Sequence, residues 1–330
     1  MHLKHTQPVL HSVQPMPLNM PLSGALQLVD RAFGIDRILA SEGRDIIAPY
    51  YRQSVPGYRR IHSEAGCMHF ALNPEGSFDK AGYYAQAREI TRHIGETGAT
   101  RVLELGCGLG FNTLHLAPQH PQVAFTGLDL LDTHVAGCTR AAAQAGLTNT
   151  TFRQGSHDDL PADIGTFDVI FAVETLCYAQ DPGRTAAQMA ALLKPGGRVV
   201  IYDGFRHPDL NSAPADMMTA ARLFEVTTAV TNGFWTLQDW RIPFEAAGLA
   251  VTERDLSQAV LPGTHRLQKI ATRVFTNWKY RLLRRFMPPL LVRNSVAGLM
   301  GPYVIQGADP AAGETRPGLS YAMISAQKPD

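Results

Sequence analysis

The 330-residue chain has almost no net charge, +1, and few cysteines, four in all. Cys67, Cys107, Cys138 and Cys177 form no C-x-x-C pair, so neither a zinc site nor a disulfide framework is indicated. Free thiols fit a reducing cytoplasm. A near-neutral balance gives no electrostatic footprint for nucleic acid. No uninterrupted apolar run approaches the ~18 residues of a membrane-spanning helix. Residues 1–21, broken by prolines and polar groups, lack the apolar core of a signal peptide and read as a mobile arm. No internal repeat is evident. One absence is local: from Leu256 to Ala308 there is no Asp or Glu, whereas Arg266, Lys269, Arg273, Lys279, Arg281, Arg284, Arg285 and Arg293 are present. Apolar residues recur at three and four over 266–286, which predicts a basic amphipathic helix. Two uses stay open for it, peripheral contact with an anionic membrane or acidic partner, and a lid with a solvated cationic face.

What is present centres on residues 101–112, Arg-Val-Leu-Glu-Leu-Gly-Cys-Gly-Leu-Gly-Phe-Asn. A short apolar strand runs through glycines 106, 108 and 110 into a helical pattern. Backbone without side chains can approach a ligand closely there. A dinucleotide fingerprint would place its third glycine at 111, which is Phe. Val123 to Leu128 forms a second apolar run ending on Asp129, nineteen residues beyond Gly110. A carboxylate at that strand tip can accept both hydroxyls of a ribose, one on each oxygen.

The pattern Glu104-x-Gly106-x-Gly108-x-Gly110 resembles the first motif of class I S-adenosylmethionine-dependent methyltransferases. Thr151 to Asp158 resembles their third strand and its exit loop, Phe167 to Ala172 the fourth strand, and Leu193 to Tyr202 the turn and fifth strand. The resemblance implies S-adenosyl-L-methionine as cofactor. It implies a site of Glu104, Gly106, Cys107, Gly108, Gly110, Asp129, Leu130, Ser156, His157 and Glu174. The family often carries an acid directly after the third-strand glycine; here Ser156 stands, so its hydroxyl or Asp158 must serve the adenine.

The expected fold is α/β, a Rossmann-like, mostly parallel seven-stranded sheet with helices on both faces. An N-terminal helical cap occupies 22–97, with helix over 22–47, a loop or short-helix stretch over 48–78 and helix over 79–97. The cofactor-binding domain follows at 98–330. It includes a helix at 236–247, a strand at 249–255 and a closing strand from Leu319 to Ala326. Lid insertions at 204–234 and 257–317 would sit over the C-terminal edge of the sheet.

Two segments speak to chemistry. Val173-Glu174-Thr175-Leu176-Cys177-Tyr178 places an acid and a tyrosine at the fourth strand's tip. Upstream, Tyr50, Tyr51, Tyr58, Arg59, Arg60, His62, Glu64, His69 and Phe70 form an aromatic, polar stretch. Both are similar, in order and separation, to segments of sterol side-chain methyltransferases, although Ala65 and Cys67 stand where that family has aromatics. This similarity, which covers roughly residues 45–205, implies Glu174, His69 and Tyr51 as catalytic residues, and Tyr50, Tyr58, Phe70 and Tyr178 as substrate pocket; Trp235 is expected in the pocket as well. No metal site is expected. Structural readings stay open beside these: the tyrosines as cap packing, Glu174 as a solvated acid or helix cap, and His69 as a core histidine.

The expected function is methyl transfer to a small hydrophobic acceptor, foremost C-methylation of an isoprenoid or sterol-like compound. An alkene acceptor would become a carbocation needing anionic or aromatic stabilisation and then deprotonation. Arg59 and Arg60 would suit a diphosphate head group. The alternatives are N- or O-methylation of a natural product, or a non-catalytic cofactor-binding module acting through its basic helix. Cytoplasmic location, with or without peripheral membrane contact, and a homo-oligomer are further expectations.

Overall fold

A computed structural model describes residues 15–307, 309 and 316–330. Alternation of apolar side chains decides its strands. In β1 (Arg101–Leu105) Val102 enters one core, and Leu103 and Leu105 enter another on the opposite face. β1 lies between β2 (Ala124–Asp129) and β4 (Phe167–Val173), and β3 (Thr150–Gln154) borders β2. β5 (Leu193–Arg206), β6 (Ala250–Asp255) and β7 (Leu319–Gln327) complete the order β3-β2-β1-β4-β5-β7-β6. The first five strands are parallel; β7 runs antiparallel to both its neighbours. Strand order reverses at β1 and β4, which opens a crevice at their C-terminal ends.

The chain opens with three short helices, α1 (Leu22–Phe33), α2 (Ile35–Leu39) and α3 (Ile47–Gly57). α4 (Ala85–Thr97), α5 (Phe111–Leu116) and α6 (Asp132–Gln144) follow, then α7 (Pro182–Leu192), α8 (Ala215–Thr227) and α9 (Leu237–Ala246). α10 (Ser257–Thr276), α11 (Trp278–Leu283) and α12 (Pro289–Gln306) lie between β6 and β7. Met189 of α7 and Trp240 and Phe244 of α9 fill one core. Ile90 and Ile94 of α4 join the other, with Leu223 of α8, Val260 of α10 and Leu299 of α12. Helices therefore cover both faces, as expected from the alternating pattern.

Several boundaries differ from the sequence reading. The helix expected over 22–47 breaks at Gly34, whose φ of 74° ends one helix and starts another. Residues 48–78 open with α3 and a π turn, Tyr58–His62. The insertion expected at 204–234 begins inside β5, where Gly204 pairs with Tyr321. The helix expected over 266–286 is two: Asn277 turns extended (ψ 129°), and its side chain caps α11 by accepting the Lys279 N–H at 2.9 Å. Of the arm expected at 1–21, residues 1–14 lie outside the described residues. The next stretch is held, with Met16 exchanging two hydrogen bonds with the Gln306 side chain and Tyr303 donating to the Met20 carbonyl.

Candidate active site

The loop after β1 is fixed by its neighbours. A side chain at Gly106 (φ 61°) would place Cβ 2.0 Å from Thr175 Oγ1, and one at Gly108 would meet Met68 at 2.5 Å. Only glycine fits such a close crossing. The loop floors a cleft of about 660 Å³ at the switch point, which Asp129, Leu130, Ser156, His157 and Glu174 also line. The volume, the bare loop backbone and a carboxylate at the β2 tip suit a nucleoside with an amino-acid tail. Among the described residues no group of three His, Cys, Asp or Glu side chains converges as a metal site.

Asp129 is already busy. Its Oδ2 accepts the Gly108 N–H at 2.8 Å, and Oδ1 accepts the Leu131 N–H at 2.9 Å with His134 Nδ1 at 3.1 Å. A carboxylate offers about four lone-pair positions. Three are taken, so one hydroxyl has room, not one on each oxygen as the sequence suggested. Glu104 lines the cleft, yet its carboxylate turns to α5 and accepts from Asn112 Nδ2, Thr113 N and Thr113 Oγ1 at 3.0, 3.1 and 2.5 Å. It satisfies the buried Thr113 amide in the first turn of that helix, which has no partner within the helix. Burial nevertheless pushes its pKa up to about 7.

Beyond the cleft lies a second cavity of about 670 Å³, built from α3, the π turn, α10, α12 and β7. Tyr51, Met68, His69, Glu174, Cys177 and Tyr178 line both spaces and form the partition between them. Tyr50, Tyr58 and Phe70 line the second cavity with Leu267, Ile270 and Val274. Trp235, expected there, instead borders the first cleft, tied by its indole N–H to the Ala179 carbonyl at 2.8 Å. Arg60 reaches the second cavity's lining; Arg59 does not.

Glu174 sits at the junction with φ 50°, a region non-glycine residues rarely adopt. Its N–H donates to the Tyr202 carbonyl, and Oε1 accepts the Phe70 N–H at 2.7 Å. Burial raises its pKa to about 8, and the neighbouring Asp203 adds to the rise. Asp203 itself, lifted to about 6 by burial, accepts from the backbone of Cys177 and Gly204. His69 is held neutral by burial, its pKa pulled down to about 4. Its Nδ1 faces the Phe70 carbonyl at 3.1 Å, while Nε2 is buried with no hydrogen bond of good geometry. The Tyr51 and Tyr178 hydroxyls meet at 3.1 Å, and Tyr178 donates to the Thr228 carbonyl.

Three neighbours escaped the sequence reading. Tyr321 of β7 lies near Glu174 and favours its charged form, opposing the effect of burial. His134 braces Asp129 and packs edge-on to Tyr51. Asp203 lies at the far end of β5. His134, five residues past Asp129 in the next helix, was within reach of spacing arguments; Tyr321, 147 residues after Glu174, was not.

Residues 102–197 match the family model described as a methyltransferase domain. Trans-aconitate 2-methyltransferase of Deinococcus radiodurans is 34% identical over 37% of this chain and 45% of its own. The 27-O-demethylrifamycin SV methyltransferase of Amycolatopsis mediterranei is 27% identical over 70% of this chain and 78% of its own. Sterol 24-C-methyltransferase of Schizosaccharomyces pombe is 26% identical over 56% and 47%. The chain thus spans under half the length of two of these relatives. Among solved structures, geranyl diphosphate C-methyltransferase from Streptomyces coelicolor A3(2) superposes with a TM-score of 0.56 at 15% identity, covering 85% of this chain and 98% of that one. The [4+2]-cyclase SpnF reaches 0.58 at 17% identity, covering 96% and 98%. Residues 102–197 thus form a methyltransferase domain of the class I, S-adenosylmethionine-dependent type, with S-adenosylmethionine as its cofactor.

Proposed function

We propose that this enzyme methylates a small hydrophobic acceptor, at carbon, on an isoprenoid or sterol-like compound. The observation that carries the reading is the pair of adjoining cavities, one fitted to the cofactor and one largely apolar, with Glu174 between them. In this reading 22–97 is a cap that builds the acceptor side, and 257–306 is a lid. The glycine loop holds the amino-acid end, and Asp129 takes one ribose hydroxyl. Leu130, Ser156 and His157 border the adenine, and Glu104 positions α5. When bound, the cofactor supplies a methyl on a sulfonium centre.

Glu174 acts on the acceptor. Neutral in the free enzyme, its carboxyl loses its proton more readily once a cation lies beside it. As carboxylate it stabilises positive charge developing on an alkene acceptor and takes the proton that restores neutrality. Tyr51 and Tyr178 offer aromatic faces and hydroxyls to the same charge. The similarity to a sterol C-methyltransferase supports this choice.

A second reading, O-methylation, is favoured by His69 and by the rifamycin relative. A neutral imidazole whose Nε2, near Asn112, makes no hydrogen bond of good geometry suits abstraction of a hydroxyl proton at the partition. Incubation with methyl-labelled cofactor and a panel of prenyl diphosphates, sterols, phenols and amines separates the two. Carbon-bound label supports the first reading; oxygen-bound label supports the second.

A further inference from the structure

We infer that the segment from Trp278 to Met287 is a docking surface for an anionic lipid bilayer, placed at the mouth through which a lipid-like acceptor enters the second cavity. The inference rests on the reading of that cavity as the acceptor site. Its own evidence is different.

Trp278, Leu282, Leu283 and Phe286 are 67%, 53%, 50% and 82% exposed, beside half-exposed Tyr280 and Ile61. This gathers most of the large apolar side chains that the described surface shows to water. Isolated exposed apolar residues are ordinary, whereas such a cluster marks an interaction site. Lys279 and Arg285 are exposed within it, and Lys269 and Arg273 stand exposed on the adjoining turns of α10. No acid occurs from 256 to 308, so the charge is of one sign. A tryptophan and phenylalanine among cations is the composition of a helix lying in a membrane interface.

Position adds the second argument. Tyr280, Leu283, Arg284 and Met287 line the second cavity as well as belonging to this segment. An apolar ligand leaving a bilayer at this patch would meet the cavity without crossing water. No helix among the described residues is long and apolar enough to cross a membrane, so contact would be peripheral.

The full-length protein is mixed with vesicles of phosphatidylcholine, and with vesicles containing phosphatidylglycerol, then sedimented at low and high salt. Binding is expected to the anionic vesicles alone and to fall as salt rises. Neutralising both Lys279 and Arg285 to Gln should weaken partitioning roughly 30-fold, the product of about 5.4-fold for each lost cation. Trp278 serves as reporter: its emission should shift blue with anionic vesicles, and Trp278→Phe should remove that shift. Phe286→Ser should weaken binding while cofactor affinity stays unchanged, which shows the fold intact. Wild-type protein that ignores anionic vesicles at low salt overturns the proposal. So does a patch that instead holds two copies together, seen as a dimer by light scattering that Phe286→Ser dissociates. Vesicle binding needs neither cofactor nor turnover, so its failure is separable from failure to methylate an isoprenoid.

Discussion

The carboxyl of Glu174 accepts the backbone N–H of Phe70 at 2.7 Å, joining the strand-four exit to the N-terminal cap across 104 residues of sequence. Glu174 is one of the residues that line both cavities, so this bond lies in the partition between them. The bond favours the carboxylate, but burial outweighs it and, with Asp203 nearby, raises the pKa of the acid to about 8.

If Glu174 is the group that answers charge on the acceptor, Glu174→Gln should lower turnover by about two decades or more while cofactor affinity changes little. Wild-type kcat/KM should climb with pH toward about 8, because the carboxylate is the working form and its free-enzyme pKa lies there. The variant should lack that limb. Equal losses in turnover and in calorimetrically measured cofactor affinity would move Glu174 from the acceptor to the cofactor.

The same group makes a stability signature. A carboxyl raised from 4.5 to about 8 holds its proton in the fold when the unfolded chain has released it. Its contribution is complete below pH 4.5 and is lost as pH rises through 8. Glu174→Gln removes this slope. Melting curves at pH 5.5 and 8.5 should therefore show the variant gaining relative to wild type at the higher pH. A constant difference between the two proteins would mean that Glu174 titrates normally.

Gly106 has no room for a side chain, and Gly137 has ample room. Gly106→Ala puts Cβ against Thr175 at a φ of 61°, so it should cost more than about 2 kcal/mol and weaken cofactor binding at least tenfold. Gly137→Ala, in the middle of α6 with nothing within 4 Å, should stabilise by about 0.5–1 kcal/mol. Thermal melts of the pair check both directions at once.

Asp129→Ala should weaken S-adenosylmethionine binding by one to two decades, from the loss of a charge-assisted hydrogen bond of about 1.5–3 kcal/mol. His134→Ala should give a smaller loss, since it removes only a brace from Oδ1. Titration calorimetry gives both numbers, and unchanged affinity in Asp129→Ala would place the ribose elsewhere.

The cofactor half of the protein was legible in sequence because its signals are local. Glycines 106, 108 and 110, then Asp129, then the strand at 167–173 each declare themselves within a few residues. The acceptor half was not, because its pieces are distant. Tyr321 reaches Glu174 only through the antiparallel pairing of β7 with β5, and no periodicity in 319–327 announces a partner at 174. Trp235 is expected in the substrate pocket, yet its indole donates to the Ala179 carbonyl and borders the cofactor cleft, a placement set by a partner 56 residues away. Asn277 broke a helix whose apolar spacing ran on unbroken. Periodicity reads which face is buried and does not register one residue that caps its own successor.

The most direct test is a single incubation of the enzyme with carbon-13 methyl-labelled S-adenosylmethionine and a set of isoprenoid and sterol-like acceptors, read by NMR of the products. The account predicts label on carbon in at least one alkene acceptor, lost in Glu174→Gln. Label only on oxygen or nitrogen, or carbon methylation that survives Glu174→Gln undiminished, would contradict it.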